Sequence, residues 1–280
     1  MPVLTTAELE RLLFEDVPYG DLTTEALRIG ALDCRVTFVA RAAMTIAAVE
    51  DAAALLTLVG VTAHPKAASG EAVAAGQVLL ECEGSAAAVL RAWKVSQTLI
   101  EVWSGVATAA RQLVSAARAG RSDTIVACTR KNIPGTKALS VAAIKAGGAI
   151  PHRLGLSETI LVFPEHRLLC PAADFAALAR GLRAASPEKK LLVEVTSAAD
   201  AMAAARAGFD VIQAEKFAPD AIAQVVAAVH TLTPRPLVAA AGGINPDNAA
   251  AYARAGADVL VTSWPYTARP MDVAVNLVAR

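Results

Sequence analysis

The sequence predicts an α/β protein: a mixed N-terminal segment over residues 1–110, then a parallel β/α array over residues 111–280. Three observations carry this. Hydrophobic residues make up 55% of the chain but aromatic ones only 4%, and much of the remainder is alanine. Alanine favours helix and fills close helix–sheet contacts. From Asp123 onward, the short apolar runs TIVAC, TILV, LLVEV, DVIQA, PLVAAA and DVLVT alternate with alanine-rich stretches. Because the runs are continuous rather than alternating, they read as strands buried on both faces. Finally, RAGFDVI at Arg206–Ile212 is echoed by RAGADVL at Arg254–Leu260, each a helix end, a glycine C-cap, an aspartate and a strand. Such a series builds either a parallel barrel or a doubly wound open sheet.

The N-terminal elements follow in order. Thr5 or Thr6 caps a first helix whose apolar face holds Leu9, Leu12 and Leu13. Val36–Val39 reads as a strand and Ile46–Leu58 as a helix. Gly70–Gly84, GEAVAAGQVLLECEG, places glycine turns around a short apolar strand. It has the look of a biotinyl or lipoyl carrier hairpin but lacks the central lysine such carriers modify, so it reads as ordinary sandwich structure. Residues from Ala86 to about Ala119 have a helical pattern, with an interruption expected near Ser104-Gly105.

Composition narrows the function. Twenty-six basic and 26 acidic side chains cancel, so no overall field favours nucleic acid and an anion site must be local. The longest charge-free stretches, Ala52–Pro65 and Ala221–Pro234, fall short of the ~20 apolar residues that span a bilayer. The acidic, amphipathic N-terminus does not resemble a secretion signal, and a cytoplasmic protein is expected. Cys34, Cys82, Cys128 and Cys170 are scattered, which suits buried thiols in a reducing compartment rather than a metal site.

In a parallel barrel, chemistry gathers at the C-terminal ends of the strands. There the sequence places Arg130 and Lys131 after TIVAC, His152 and Arg153 before TILV, and Glu194 at the end of LLVEV. Glu215 and Lys216 follow DVIQA, Gly242 and Gly243 follow PLVAAA, and Ser263 follows DVLVT. Each alone could be solvated surface or an ordinary turn. Cations and carboxylates recurring at one end describe a pocket for a carboxylate or phosphate, with the glutamates free to hold Mg2+ or ribose hydroxyls. The two glycines between a strand and a helix starting near Pro246 suit a phosphate cradle.

TRKNIPGTKALSVAAIKAGGAIPHRLGL at 129–156 resembles the signature of the type II phosphoribosyltransferases, the nicotinate-nucleotide (quinolinate) pyrophosphorylases. EDVPYGDLTT at 15–24, SGVAT at 104–108, VEVTS at 193–197 and AGGI at 241–244 fall in the same family order. The resemblance implies an N-terminal α/β sandwich domain, a C-terminal open α/β (TIM-like) barrel, and a homodimer or its multiple with shared active sites. The family reaction joins quinolinate to phosphoribosyl pyrophosphate with Mg2+ and no organic cofactor, releasing pyrophosphate and CO2. By that resemblance Arg130 and Arg153 hold the acceptor's carboxylates, with His152 beside them. Lys131 serves the phosphoribosyl donor, Glu194 and Glu215 stand near the ribose and metal, and Gly242 and Gly243 take the 5′-phosphate. Ser263 belongs to the same binding set.

The chain also departs from the pattern. Lys94, in WKVSQTL, replaces the arginine that reaches into the partner's site. Phe163, in ILVFPEH, stands where the family carries a lysine for the acceptor, and Cys128 replaces the aspartate of DTRK. Losing that lysine leaves one carboxylate of a dicarboxylic acceptor unpaired in a closed site, which is costly. Together with KNIPGTK and TSWPY, these changes resemble a branch of the family associated with molybdenum-transport operons, although no Cys, His or carboxylate cluster reads as a molybdenum site. The implied function is phosphoribosyl transfer to an acidic, nitrogen-containing acceptor. The alternatives are a genuine quinolinate enzyme of NAD biosynthesis and a non-catalytic anion- or partner-binding protein of molybdate uptake.

Overall fold

The computed structural model describes residues 1–170 and 174–280. Its first elements are helices α1 (Thr6–Asp16) and α2 (Leu22–Leu27), strands β1 (Asp33–Ala40) and β2 (Met44–Thr45), and helix α3 (Val49–Leu58). Strands β3 (Thr62–Pro65), β4 (Ala72–Val73) and β5 (Val78–Ser85) lead into the long helix α4 (Ala86–Gly120). Then come β6 (Ile125–Cys128), α5 (Lys137–Ala146), β7 (Ile150–Pro151), β8 (Ile160–Val162), α6 (Pro164–Leu168) and α7 (Phe175–Ala185). The chain ends with β9 (Leu191–Val195), α8 (Ala198–Arg206), β10 (Val211–Glu215), α9 (Pro219–Val229), β11 (Leu237–Ala241), α10 (Pro246–Arg254), β12 (Val259–Thr262), a short 3-10 turn at Trp264–Thr267, and β13 (Val273–Ala279).

Two compact units result. One contains Met1–Arg111, Asn132–Gly148 and Pro265–Arg280; the other contains Gln112–Lys131 and Ala149–Trp264. In the first, an antiparallel sheet runs β13-β1-β5-β3. Alternation along β1 turns Cys34, Val36, Phe38 and Ala40 inward. The N-cap of α1 is Thr5, which closes a reciprocal capping box with Glu8.

Two local expectations are corrected here. α3 starts at Val49, not Ile46, because the preceding backbone is bound elsewhere: Ile46 N–H donates to Glu71 O at 2.9 Å and Ala47 N–H to Ser104 Oγ at 3.0 Å. Helix α4 runs unbroken through Ser104-Gly105. Ser104 is fully buried as the acceptor for Ala47, and Gly105 leaves room for the carbonyl of Arg269, which a β-carbon there would meet at 2.3 Å. These residues mark a close contact, not a break.

The second unit carries a seven-stranded sheet in the order β7-β6-β12-β11-β10-β9-β8, every recorded pair parallel. Read from β8, the order is consecutive to β12 and then returns to β6 and β7. That is a barrel opened between β7 and β8, and it excludes a doubly wound sheet, whose order reverses from an interior strand. The sequence echo has a physical job in this sheet. Asp210 accepts from Leu191 N at 2.7 Å, and Asp258 accepts from Val238 N at 2.8 Å. Each aspartate thus satisfies an amide at the start of the neighbouring strand, and each is paired with arginine, Asp210 with Arg183 and Asp258 with Arg235.

Candidate active site

At the C-terminal end of β6, Thr129 N–H donates to Thr262 O at 2.8 Å and Thr129 Oγ1 accepts from Lys131 N at 3.2 Å. This turn leaves Arg130 and Lys131 exposed beyond the strand. At the neighbouring strand end, His152 N–H donates to Cys128 O at 2.8 Å. Burial, then the charge of Arg153, lowers the His152 pKa, with Glu158 opposing. Arg153 itself is only 6% exposed. Its guanidinium lies 5.8 Å from the Phe163 ring centroid and contacts Thr159 O at 3.4 Å. Phe163 in turn stacks on His166 at 5.8 Å, so an aromatic pair takes the place expected of a second cation. Burial and the nearby Arg130 both push the Arg153 pKa downward, which places two positive charges in one field that an anion would relieve.

The carboxylates occupy the next strands. Glu194 is half-buried near the end of β9, and its pKa is raised, first by burial and then by the charge of Glu215 at the end of β10. A hydrogen bond from Gln213 and the charge of Lys131 pull the other way. Lys131, Glu194 and Glu215 therefore share one electrostatic environment.

Two oxygen-donor side chains whose mutual repulsion a cation would relieve fit Mg2+, a hard ion that binds through one or two carboxylates and completes its shell with water and substrate phosphate. Among the described residues no group of three or more His, Cys, Asp or Glu could hold a metal. The pair would thus need those outside ligands.

After β11 come Gly242 at φ +90° and Gly243 at φ +81°. A β-carbon on Gly242 would collide with Glu215 Oε1 and the Lys216 backbone, so only glycine brings this turn against β10. Asn245 caps α10 by accepting from Asp247 N and Asn248 N, and Asn248 Nδ2 donates to Gly243 O at 2.9 Å. The first-turn donors that Asn245 takes are thereby occupied. Among the described residues the amides of Gly242 and Gly243 donate to no protein acceptor, and they are the donors left for an anion. Ser263 is half-buried just past β12, behind Thr262, whose hydroxyl donates to Ile244 O at 2.7 Å.

Lys94 lies in the other compact unit, exposed on α4, with Nζ 3.0 Å from Gln97 Oε1 and 4.2 Å from the Trp93 ring centroid. Of two further residues at the barrel site, Lys216 was marked in the sequence only by its place after DVIQA, and Gln213 was not singled out. Lys216 adopts φ +59°, a strained backbone for a non-glycine residue and a frequent mark of functional loops. Gln213 is a buried amide inside an apolar strand, and that polarity was the available signal.

Residues 106–276 match the family model "Quinolinate phosphoribosyl transferase, C-terminal domain", and residues 21–104 match its N-terminal domain counterpart. "Putative pyrophosphorylase ModD" of Rhodobacter capsulatus is 48% identical over 256 residues, covering 91% of this chain and 98% of that protein. A nicotinate-nucleotide pyrophosphorylase [carboxylating] of Mycobacterium leprae is 31% identical over 277 residues, covering 96% of this chain and 95% of that protein. Among solved structures, NadC from Streptococcus pyogenes superimposes with a TM-score of 0.90 at 25% identity, covering 99% of each chain.

Proposed function

The chain belongs to the quinolinate phosphoribosyl transferase family, and from that premise we propose that it transfers phosphoribose from phosphoribosyl pyrophosphate to an acidic, nitrogen-containing acceptor other than quinolinate. It is a phosphoribosyltransferase by family and by its pyrophosphorylase-named relatives. The observation supporting the donor assignment is the shared field of Lys131, Glu194 and Glu215 beside the Gly242-Gly243 turn.

As the C1–pyrophosphate bond opens, positive charge grows on the ribose. A half-buried Glu194 carboxylate stabilises it better than a solvated one would. Lys131 neutralises charge on the departing pyrophosphate, and the Gly242 and Gly243 amides hold the 5′-phosphate. Mg2+ held by Glu194 and Glu215 supplies further neutralisation of phosphate charge when bound. Arg130 and Arg153 align the acceptor's carboxylate so that its nitrogen faces C1, with His152 beside them. Phe163 argues for a changed acceptor: a second carboxylate placed against an aromatic ring would be desolvated without a partner. In a homodimer of this chain, Lys94 would be presented to the partner's site, as a point charge rather than a bidentate fork.

Calorimetric titration with phosphoribosyl pyrophosphate and Mg2+, followed by quinolinate, tests the reading. Donor binding with weak or absent quinolinate binding is expected. Tight binding of both with pyrophosphate release would make quinolinate the acceptor, and no donor binding would overturn the proposal.

A further inference from the structure

The buried side chain of Gln213 is the least explained polar group in the barrel. It is 4% exposed, and its Nε2 donates to Glu194 Oε2 at 2.7 Å across the β9–β10 register. Among the described residues its Oε1 is buried with no hydrogen-bond partner. An ionised carboxylate only accepts, so the bond to Glu194 fixes which end of the amide faces it and commits Oε1 to the other side. On that side the strand neighbour in register is Ala239, which has no polar side-chain atom to offer. Leaving a buried acceptor unpaired costs its desolvation without return, and a structural core would do better with an apolar side chain of the same size. Residues two apart on a strand share a face, so Gln213 looks the same way as Glu215, the second carboxylate at the site. Ala239 and Ala241 stand beside them in register, buried in an apolar cluster with Val261, and offer no polar side-chain atom. Three acceptor groups, Glu194, Gln213 and Glu215, therefore line one face, and a partner for Gln213 Oε1 must be a donor.

We propose that Gln213 is a specificity residue of the transferase: its Nε2 positions Glu194 while its Oε1 accepts a hydrogen bond from one hydroxyl of the ribose 2,3-diol. This rests on the phosphoribosyl reading above and adds a residue to it. A sugar is the donor class that fits, because vicinal hydroxyls can supply a proton to each of several neighbouring acceptors, whereas a phosphate or carboxylate facing the same three groups would be repelled.

The test uses ribose 5-phosphate and its 2-deoxy and 3-deoxy analogues, titrated into the full chain and into Gln213→Met, a near-isosteric apolar replacement. Gln213→Leu is the second variant, and thermal melting of each establishes that it is folded. In the unmodified protein both deoxy sugars should bind more weakly than ribose 5-phosphate. In Gln213→Met, ribose 5-phosphate should weaken on the order of tenfold, and the penalty for one of the two deoxy sugars should vanish. A folded variant that keeps both deoxy penalties overturns the role of Gln213 and leaves the transferase reading intact. If the unmodified protein binds neither ribose 5-phosphate nor phosphoribosyl pyrophosphate, the transferase reading fails and this inference fails with it.

Discussion

A β-carbon placed on Gly242 would stand 2.8 Å from Glu215 Oε1. The same atom would be 2.9 Å from Lys216 N and 2.7 Å from Lys216 Cγ, and the backbone at Gly242 sits at φ +90°. The Gly242-Gly243 turn and Glu215 are therefore built against each other. Gly242→Ala should lower stability by about 1–2 kcal/mol from the left-handed backbone alone. It should also weaken donor binding at least tenfold, because Glu215 must move. Chemical denaturation and calorimetry with phosphoribosyl pyrophosphate measure the two effects separately. Loss of stability with unchanged donor affinity would show that the turn does not hold the donor.

Lys131→Ala should reduce pyrophosphate release by at least ~100-fold, the scale of removing one preorganised charge from a transition state. The side chain is exposed and its backbone N–H, not its ammonium, makes the turn bond to Thr129. The melting temperature should therefore stay within a degree or two. Once an acceptor is in hand, turnover in this variant equal to that of the unmodified protein would remove Lys131 from the mechanism.

Much of the fold can be read in the sequence because barrel strands are continuous apolar runs separated by glycine-capped helices. The repeated Gly-x-Asp of Gly208–Asp210 and Gly256–Asp258 is visible because both copies satisfy an amide on a neighbouring strand. β13 is harder to see: only Val273 is buried, so VAVNLVA lacks the continuous apolar signal and is held by pairing with β1. Gln213 is missed for a related reason. Within DVIQA it reads as an isolated polar residue in a strand, and its partner Glu194 lies on a different strand. A linear pattern records what each residue is. It does not record what stands beside it across a sheet.

Glu194 also makes a pH prediction. Its folded pKa is raised above the usual carboxylate value, chiefly by burial. The native state therefore holds a proton on Glu194 more tightly than the unfolded chain does. The stability associated with that proton is present in full below the unfolded value of 4.5 and is lost as pH rises through the elevated folded value. Glu194→Gln retains an acceptor for Gln213 and carries no charge. Its melting temperature should exceed that of the unmodified protein at pH 7, and the gap should close as pH falls below the carboxylate range. Equal melting temperatures across that window would mean that Glu194 is not strained by its site.

Gly105 is the position where two local rules oppose each other. In a helix interior, alanine is favoured over glycine by about 1 kcal/mol, so Gly105→Ala should stabilise α4 if propensity decides. The added methyl group would, however, lie 2.3 Å from Arg269 O and 3.2 Å from Pro270 Cα, and these are backbone atoms that no rotamer change can clear. Overpacking that forces backbone apart costs about 1–3 kcal/mol, which exceeds the propensity gain. Gly105→Ala should thus be destabilising by a net ~1 kcal/mol or more, and a denaturant titration gives the sign directly. A stabilised variant would mean that the segment around Arg269 yields easily. A destabilised one explains why a residue that reads as a helix breaker sits in the middle of an unbroken 35-residue helix.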